Sequence, residues 1–482
     1  MMRLLLLVMG MVGAMSSPVA EDYSVWEDSI VVIESNSVDF SYYEPWSASS
    51  QTISKNGVVV DGKRILTTAD WMQNSTHVRV QKNGRGSWWN AHIEWVDYHA
   101  NLAVLGVDDD AFWQGLTGVP FTREIPRHGH VQLFRQASGN LESWQAAVSK
   151  IFVASSQRSF VRHMMLELTS DVDSSGWSEV VVRNGDVVGL AASQDGDRLL
   201  VIPAPVILDV LAAKELDPSA SLAYFDFVWQ LTRNAALTDY LELEGPSRGV
   251  VVTKVRSDSA FAGVLERRDI VVEIDGFTID SDGDYEDPMY GHLSFRNLAT
   301  RDRVAGDRSV FKVWRDGGYL DLEVVLPAAR YDDELVPDYV FDRSPEYMIV
   351  GGLIFQPLTT SYLRSWGKEW WKSAPYRMTY YTYEKATAER PHLVILSHLL
   401  PDRFNLGYQE LAYMALDKVN GRIISSIRSL ADALEHPQNG FHVFEFFPNN
   451  NTGKLVLDAT ALEQATSRIT ANYGIPRPAV MH

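Results

Sequence analysis

The chain has 482 residues, of which 46% are hydrophobic and 22% are charged, and its formal net charge at pH 7 is −19. This length is enough for about two to four domains, each with its own hydrophobic core. The negative charge argues against a nucleic-acid partner, because phosphate binding needs a basic surface. The absence of cysteine excludes disulfides, thiolate metal sites and a cysteine nucleophile.

The N-terminus has the pattern of a secretory signal peptide. Arg3 supplies a positive charge, residues 4–15 form an uncharged and mostly apolar run, and small residues continue to Ala20. This pattern predicts a signal peptide over residues 1–20 and an exported, periplasmic protein. No later stretch reaches ~18 apolar residues, so no integral membrane span is expected after removal of the signal. An uncleaved anchor or a buried strand is the alternative.

Short β-type runs separated by turn dipeptides fill residues 22–216. Residues 57–60 and 179–182 are rich in valine, and Asn83-Gly84 and Asn184-Gly185 are favourable turn pairs. Many short strands over such a length are typical of an all-β sandwich or a pair of barrels. A helical pattern over residues 203–216 closes this unit.

Two smaller units follow, over residues 217–335 and 340–482. Each contains a strand, an Asn/Asp-Gly turn and a second strand, at residues 265–279 and 416–423 respectively. The acidic, proline-bearing segment 331–345 marks the boundary between them. A helix-like segment follows the second of these turns, at residues 426–435.

Three short segments carry a resemblance to a known family. They are ILTTAD at residues 65–70, HANLAVL at residues 99–105 and DSSGWS at residues 173–178. They resemble the motifs I-L-T-N-A-H, D-L-A-V/I-L and G-N-S-G-G-P of the HtrA/Deg family of trypsin-like serine proteases. Asn101 lies 31 residues after Asp70, and Ser175 lies 74 residues after Asn101, as the family's histidine, aspartate and serine would.

The resemblance extends over nearly the whole mature chain and is strongest to the longer, plant-type Deg branch. Residues 265–276 are similar to the PDZ pattern L-x-x-G-D-x-I-x-x-I-x-G, with Arg268 in place of the glycine. The family therefore implies a mainly β protein, namely a trypsin-like double β-barrel followed by two PDZ-like domains in an α+β C-terminal part. It also implies a homo-oligomer, a trimer or larger.

The catalytic positions that the resemblance implies are degenerate. Only Ser175 survives, because Asp70 replaces the histidine and Asn101 replaces the aspartate. Serine needs a base such as imidazole near neutral pH, and a neutral amide cannot stabilise an imidazolium. Asp173 replaces a glycine of the oxyanion loop, where a carboxylate opposes developing negative charge. These replacements predict a pseudoprotease, and no metal or other cofactor is expected.

An active serine endopeptidase is the alternative. In that case Ser175 would use a non-standard base, for which His77 and His99 are the nearby candidates in sequence.

The PDZ resemblance also predicts partners, because PDZ domains bind extended protein or peptide segments by strand addition. The candidate peptide-binding residues are Phe225, Asp226 and Phe227 in the first unit and Gly352, Leu353, Ile354 and Phe355 in the second. Asp226 places a negative charge where a peptide carboxylate would lie, so we expect the second unit to bind more tightly. Plain packing between domains is the alternative role of both segments.

Overall fold

The computed structural model describes residues 24–174, 178–448 and 454–482. The signal-peptide prediction over residues 1–20 and the predicted nucleophile Ser175 therefore lie outside the described residues. The described part is mainly β, with two closed barrels followed by two open sheets, and this confirms the predicted fold class. No helix in the described ranges is long and apolar enough to cross a membrane.

The first barrel closes in the order β1-β2-β3-β6-β5-β4. Its elements are α1 (Ser24–Glu27), β1 (Ile30–Phe40), β2 (Ala48–Val60), β3 (Arg64–Thr67), β4 (Ser75–Lys82), β5 (Trp88–Asp97), β6 (Leu102–Gly106) and α2 (Asp110–Trp113). Side chains alternate between buried and less buried along β4, where Val78 and Val80 face the interior. This alternation fills the barrel with branched aliphatic side chains.

The second barrel closes in the order β10-β11-β12-β9-β8-β7. Its elements are β7 (His130–Ala137), β8 (Asn140–Ser155), β9 (Arg162–Thr169), β10 (Val180–Arg183), β11 (Asp186–Asp195), β12 (Arg198–Pro203) and α3 (Ala204–Leu216). The turn between β10 and β11 is the predicted Asn184-Gly185 pair, and both residues have the positive φ that a tight hairpin requires. The helix expected over residues 203–216 is confirmed as α3.

The first open sheet follows the order β13-β14-β15-β19-β20, with β16 paired to β15. Its elements are β13 (Phe227–Leu231), α4 (Ala235–Tyr240), β14 (Val250–Val255), β15 (Ile270–Ile274), β16 (Phe277–Thr278), β19 (Arg308–Arg315) and β20 (Gly318–Val325). Between β16 and β19, β17 (Asp284–Asp287) and β18 (Gly291–Ser294) pair with each other in a separate two-stranded sheet. A 3-10 helix at Phe295–Ala299 packs beside β13 through the rings of Trp229 and Phe295. Its apolar core is continuous with that of the second barrel.

The second open sheet follows the order β27-β26-β24-β23-β22-β21-β28, with β25 paired to β24. Its strands are β21 (Tyr347–Val350), β22 (Leu353–Pro357), β23 (Val394–Leu399), β24 (Met414–Val419), β25 (Arg422–Ile423), β26 (Phe441–Phe446), β27 (Lys454–Asp458) and β28 (Ala479–Val480). Its helices are α5 (Thr360–Leu363), α6 (Trp370–Ser373), α7 (Tyr376–Thr379), α8 (Ile427–Leu434) and α9 (Leu462–Asn472). The helix expected over residues 426–435 is α8, and Ser426 caps its N-terminus.

The two open sheets share one plan and differ at one edge. The run β22-β23-β24-β26-β27 with β25 repeats the run β13-β14-β15-β19-β20 with β16. In the second sheet, β21 and β28 extend the sheet beyond β22, whereas the described residues place no strand beyond β13. The first strand of the shared plan is therefore interior in the second sheet, as β22, and at the edge in the first sheet, as β13.

Candidate functional site

The first barrel brings two of the predicted catalytic positions together. Asp70 follows β3 and Asn101 precedes β6, and β3 and β6 are paired. The Asn101 Nδ2 donates to the Asp70 carboxylate at 2.6 Å, and the Asp70 backbone N–H donates to the Asn101 Oδ1 at 3.0 Å. Both side chains are buried. Asn101 adopts a φ of 56°, a left-handed conformation that asparagine tolerates better than most residues.

Lys55 on β2 is the functional residue of this centre that sequence reasoning missed. Its buried Nζ donates to the backbone oxygens of Thr68 at 2.7 Å and of Asp70 at 2.8 Å, and to the Thr68 Oγ1 at 2.8 Å. Burial lowers the pKa of Lys55 to about 7, and the negative charges of Asp70 and Glu179 partly oppose that shift. The available signal was a lysine two residues before the apolar run 57–60.

Ser178 is the last residue of the third predicted motif, and its hydroxyl forms hydrogen bonds at the C-terminal end of β3. Its Oγ accepts a hydrogen bond from the Thr68 backbone N–H at 2.8 Å. The same hydroxyl lies 2.9 Å from the hydroxyls of both Thr67 and Thr68. Because Lys55 also bonds to Thr68, the two motifs and the lysine form one hydrogen-bonded network.

The loop that precedes Ser175 is held by the second barrel. Asp173 is exposed, and its backbone oxygen accepts from the Arg135 guanidinium at 3.0 Å. The Ser174 backbone N–H donates to the Gln194 Oε1 at 2.6 Å. These contacts anchor both residues before Ser175, while Ser175 itself lies beyond the described ranges.

The two candidate substitute bases have partners away from Asp70. The Nε2 of His77 lies 3.1 Å from the Asn90 Oδ1 on the neighbouring strand. The ring of His99 stacks on Tyr331 with a 4.1 Å separation of centroids, and its Nδ1 lies 3.1 Å from the Ser159 Oγ. Burial lowers the pKa of His99 to about 4. His99 is therefore neutral at pH 7 and faces the loop after β8.

The second sheet places the predicted residues 352–355 differently from expectation. Gly351 and Gly352 form the two-residue turn of the β21–β22 hairpin, and both have positive φ. Strand β22, which holds the other three residues, pairs with β21 on one side and β23 on the other. Strand β22 therefore has no free edge for strand addition, and tighter binding by the second unit stays a prediction. The glycine pair closes a hairpin because it accepts left-handed backbone angles.

The first sheet keeps an edge at the predicted segment. Phe225, Asp226 and Phe227 lead into β13, which pairs on one side with β14. The Asp226 carboxylate lies 3.4 Å from the Arg256 guanidinium and is largely buried. Burial raises the pKa of Asp226, and the Arg256 charge opposes this effect. The negative charge that we expected to repel a peptide carboxylate is therefore paired within the protein.

A cavity of about 210 Å³ opens beside β13, between the first sheet and the second barrel. Aromatic side chains form most of its wall, and two arginines complete it. Its lining residues are Phe160, Arg162, Tyr224, Phe225, Phe227, Trp229 and Arg296. Phe160 and Arg162 come from the second barrel, so this candidate binding site is shared by two units of the chain.

Comparison with known proteins agrees with this architecture. The family model "PDZ domain" matches residues 336–481, the second open sheet. The putative mitochondrial protease Do-like 3 of Arabidopsis thaliana is 26% identical over 93% of this chain and 79% of its own length. The chloroplastic protease Do-like 2 of the same plant is 25% identical over 90% of this chain and 72% of its own length. These comparisons support the predicted resemblance to the HtrA/Deg family of trypsin-fold proteins with PDZ domains.

A solved structure has a similar fold over about two thirds of the chain. A variant of the HtrA-type protease AlgW, determined with a decapeptide, aligns with a TM-score of 0.50 and 15% identity. The alignment covers 65% of this chain and 98% of that one. Asp70 and Asn101 are the positions at which the motifs of this chain differ from the histidine and aspartate of the HtrA/Deg motifs.

Proposed function

We propose that this HtrA/Deg protein is an exported pseudoprotease that binds protein segments, as a scaffold, a chaperone-like factor or a regulator of a partner. The observation that carries the proposal is the closed network of Asp70, Asn101 and Lys55. In this network the carboxylate accepts from an amide, the amide accepts from a backbone N–H, and the ammonium donates to three oxygens.

The chemistry of peptide hydrolysis requires more than this network offers. A serine nucleophile needs a base that takes its proton and then returns it to the leaving amine. Asp70 has one carboxylate oxygen engaged by Asn101, and a carboxylate is a weak base at neutral pH. Loss of the aspartate charge alone costs about 10⁴ in turnover in a serine protease, and here the histidine is replaced as well.

The binding role rests on the first sheet. Its edge strand β13 and the adjoining cavity give a peptide both main-chain partners and a side-chain pocket. The proposed division of the chain is a (pseudo)protease unit over residues 22–216, a first PDZ-like unit over 217–335 and a second over 340–482. We propose that the second, with its leading strand covered, serves assembly of a homo-oligomer, and that the mature protein acts in the periplasm.

One observation favours the alternative of an active serine endopeptidase. A lysine with a pKa of about 7 is partly neutral at physiological pH, and a neutral amine is a competent general base. Lys55 is such a group in the former catalytic centre. However, its Nζ already has three hydrogen-bonding partners, which support the structural role.

The test compares hydrolysis of casein by the wild type, Ser175→Ala and Lys55→Met. We expect no turnover that depends on either residue. Reaction with a fluorophosphonate probe provides an independent readout, because labelling needs an activated serine hydroxyl. Hydrolysis or labelling that disappears in Ser175→Ala would refute the pseudoprotease, and its parallel loss in Lys55→Met would identify the substitute base.

A further inference from the structure

The cavity beside β13 contains two positive charges that the protein does not neutralise. Arg162 begins β9 in the second barrel, and Arg296 lies in the 3-10 helix Phe295–Ala299 of the first sheet. Neither guanidinium forms an ion pair within the described ranges, and the described lining of the cavity contains no aspartate or glutamate. Such a pair is notable in a chain with a net charge of −19.

Arg296 is held close to an aromatic ring and near the positive charge of Arg162. The Arg296 guanidinium carbon lies 4.7 Å from the ring centroid of Trp229, so the side chain is held against β13. Burial and the charge of Arg162 both lower the pKa of Arg296. Like charges that face each other across an apolar-walled space repel, and an anion placed between them relieves that repulsion.

The aromatic wall sets the position of the two arginines relative to the strand edge. The Trp229 and Phe295 rings lie 5.0 Å apart, and Phe160 of the second barrel lies 5.4 Å from Tyr224. These contacts hold the barrel loop and the strand on opposite sides of the cavity. A peptide strand added to β13 would place alternate side chains on the cavity side.

We propose that the first PDZ-like unit and the second barrel together form a composite site for acidic peptide segments, in which an aspartate or glutamate side chain binds between Arg162 and Arg296. This inference rests on the proposed function, since it names the class of segment that the first unit binds. Carboxylate is the natural ligand of a guanidinium pair because each guanidinium can donate two parallel hydrogen bonds to it. The cavity of about 210 Å³ has room for such a side chain.

The composite nature of the site has a consequence for the former protease unit. Because Arg162 and Phe160 belong to the second barrel, a bound acidic segment contacts both units at once. The barrels then contribute to recognition although their catalytic centre is closed. A PDZ-like unit separated from the barrels would lack one of the two arginines.

The test measures binding to the full-length protein by fluorescence anisotropy. The probes are pairs of fluorescein-labelled short peptides ending in valine, which carry a single glutamate moved stepwise back from the C-terminus, each matched by the glutamine peptide. At one position we expect the glutamate peptide to bind about tenfold or more tightly than its partner. This preference should weaken with added salt, while the affinity of the glutamine peptide changes little.

Variants then assign the preference to the two arginines. Arg162→Gln and Arg296→Gln should each reduce the preference for glutamate, the double variant should abolish it, and Arg296→Lys should retain part of it. Arg267→Gln is the matched control, since Arg267 is an exposed arginine of the same unit and lies outside the cavity. The midpoint of urea unfolding checks that each variant is folded.

The outcomes separate this inference from the proposed function. Binding of both peptides in each pair with equal affinity, unchanged in the arginine variants, would overturn the acidic-segment site and leave the peptide-binding function intact. Binding of no peptide of either kind would overturn both. A preference for glutamate that survives the double variant would show that other residues provide it and would overturn the assignment to Arg162 and Arg296.

Discussion

The buried centre at Asp70 and the cavity beside β13 differ in how their polar groups are partnered. In the centre, Asp70, Asn101 and Lys55 satisfy one another and the nearby backbone. In the cavity, Arg162 and Arg296 face each other without a described carboxylate between them. Arg162 is exposed and Arg296 is half-buried, so both guanidinium groups remain accessible to a ligand. The difference supports the proposal of a closed centre in the first barrel and an open recognition site beside β13.

The two open sheets also differ in how the backbone hydrogen-bonding groups of their leading strands are paired. Strand β22 has its hydrogen-bonding groups paired on both sides by the chain itself, whereas β13 has one side paired by β14. An unpaired strand edge is a template for another strand. Of the two open sheets, the first is therefore the one whose leading strand has an edge where a peptide strand could add.

The largest expected effect comes from opening the closed centre. Asp70→Ala removes the acceptor of the Asn101 Nδ2 and the negative charge near buried Lys55, and leaving a buried donor without its partner typically costs about 1–3 kcal/mol. Urea denaturation of the full chain measures this loss in the free energy of unfolding. Asp197→Ala, at an exposed aspartate of the same barrel pair, should change it by no more than about 0.5 kcal/mol. Equal effects of the two variants would mean that the network contributes nothing to stability.

The next effect concerns the pH dependence that Lys55 imposes. Its pKa is about 7 in the folded protein and 10.5 as the ordinary value, so between these pH values the unfolded chain binds more protons and folding gains stability as pH rises. The stability of the wild type relative to Lys55→Met should therefore increase by up to about 1.4 kcal/mol per pH unit above pH 7.

Thermal or urea unfolding from pH 7 to pH 10 measures this slope. Lys254→Met, at an exposed lysine of the first sheet, is the control and should give a difference that is flat over the same range. A flat difference for Lys55→Met would contradict the burial of its amine in the native centre.

A smaller effect is expected in the cavity, where removing charge should not destabilise the fold. The double variant Arg162→Gln, Arg296→Gln loses a contact with Trp229 but also a repulsion between two cations. The free energy of unfolding should change by no more than about 1 kcal/mol. A loss as large as that of Asp70→Ala would show that the arginines are structural and would remove the contrast between the two regions.

The smallest expected effect is on proteolysis when the lost triad residues are restored. Asp70→His with Asn101→Asp should leave casein hydrolysis at background. Lys55 still occupies the centre, and Asp173 still precedes Ser175 in the oxyanion loop, where loss of one donor costs about 10²–10³ in rate. Robust hydrolysis by the double variant would show that the rest of the site is competent and that the two substitutions alone silence it.

Much of the fold could be predicted from local signals. Turn pairs such as Asn184-Gly185, the helix Ala204–Leu216 and the order of motifs all depend on residues that are close in sequence. The proximity of Asp70 and Asn101 followed from the spacing of two motifs on strands that pair in this fold. These predictions held because each depends on short-range patterns.

The features that were missed depend on long-range pairing. The cover on β22 is made by β21 and, beyond it, by β28, and the pairing of Tyr347 with Val480 joins residues from opposite ends of the second unit's sequence. A local sequence pattern does not predict which strand will lie at the edge of a sheet. Lys55 was missed for a related reason, since its partners at residues 68 and 70 are reached only when β2 and β3 fold into the barrel. The cavity likewise joins Arg162 and Arg296 from two units.

Binding without cleavage is the central claim, and one measurement tests both halves of it. The full-length protein is incubated with the tightest-binding acidic peptide at a concentration that saturates the site, and the mixture is followed by mass spectrometry beside the Ser175→Ala variant. The account predicts that the peptide is bound by both proteins and recovered intact from both. Peptide fragments that form with the wild type and not with Ser175→Ala would contradict it.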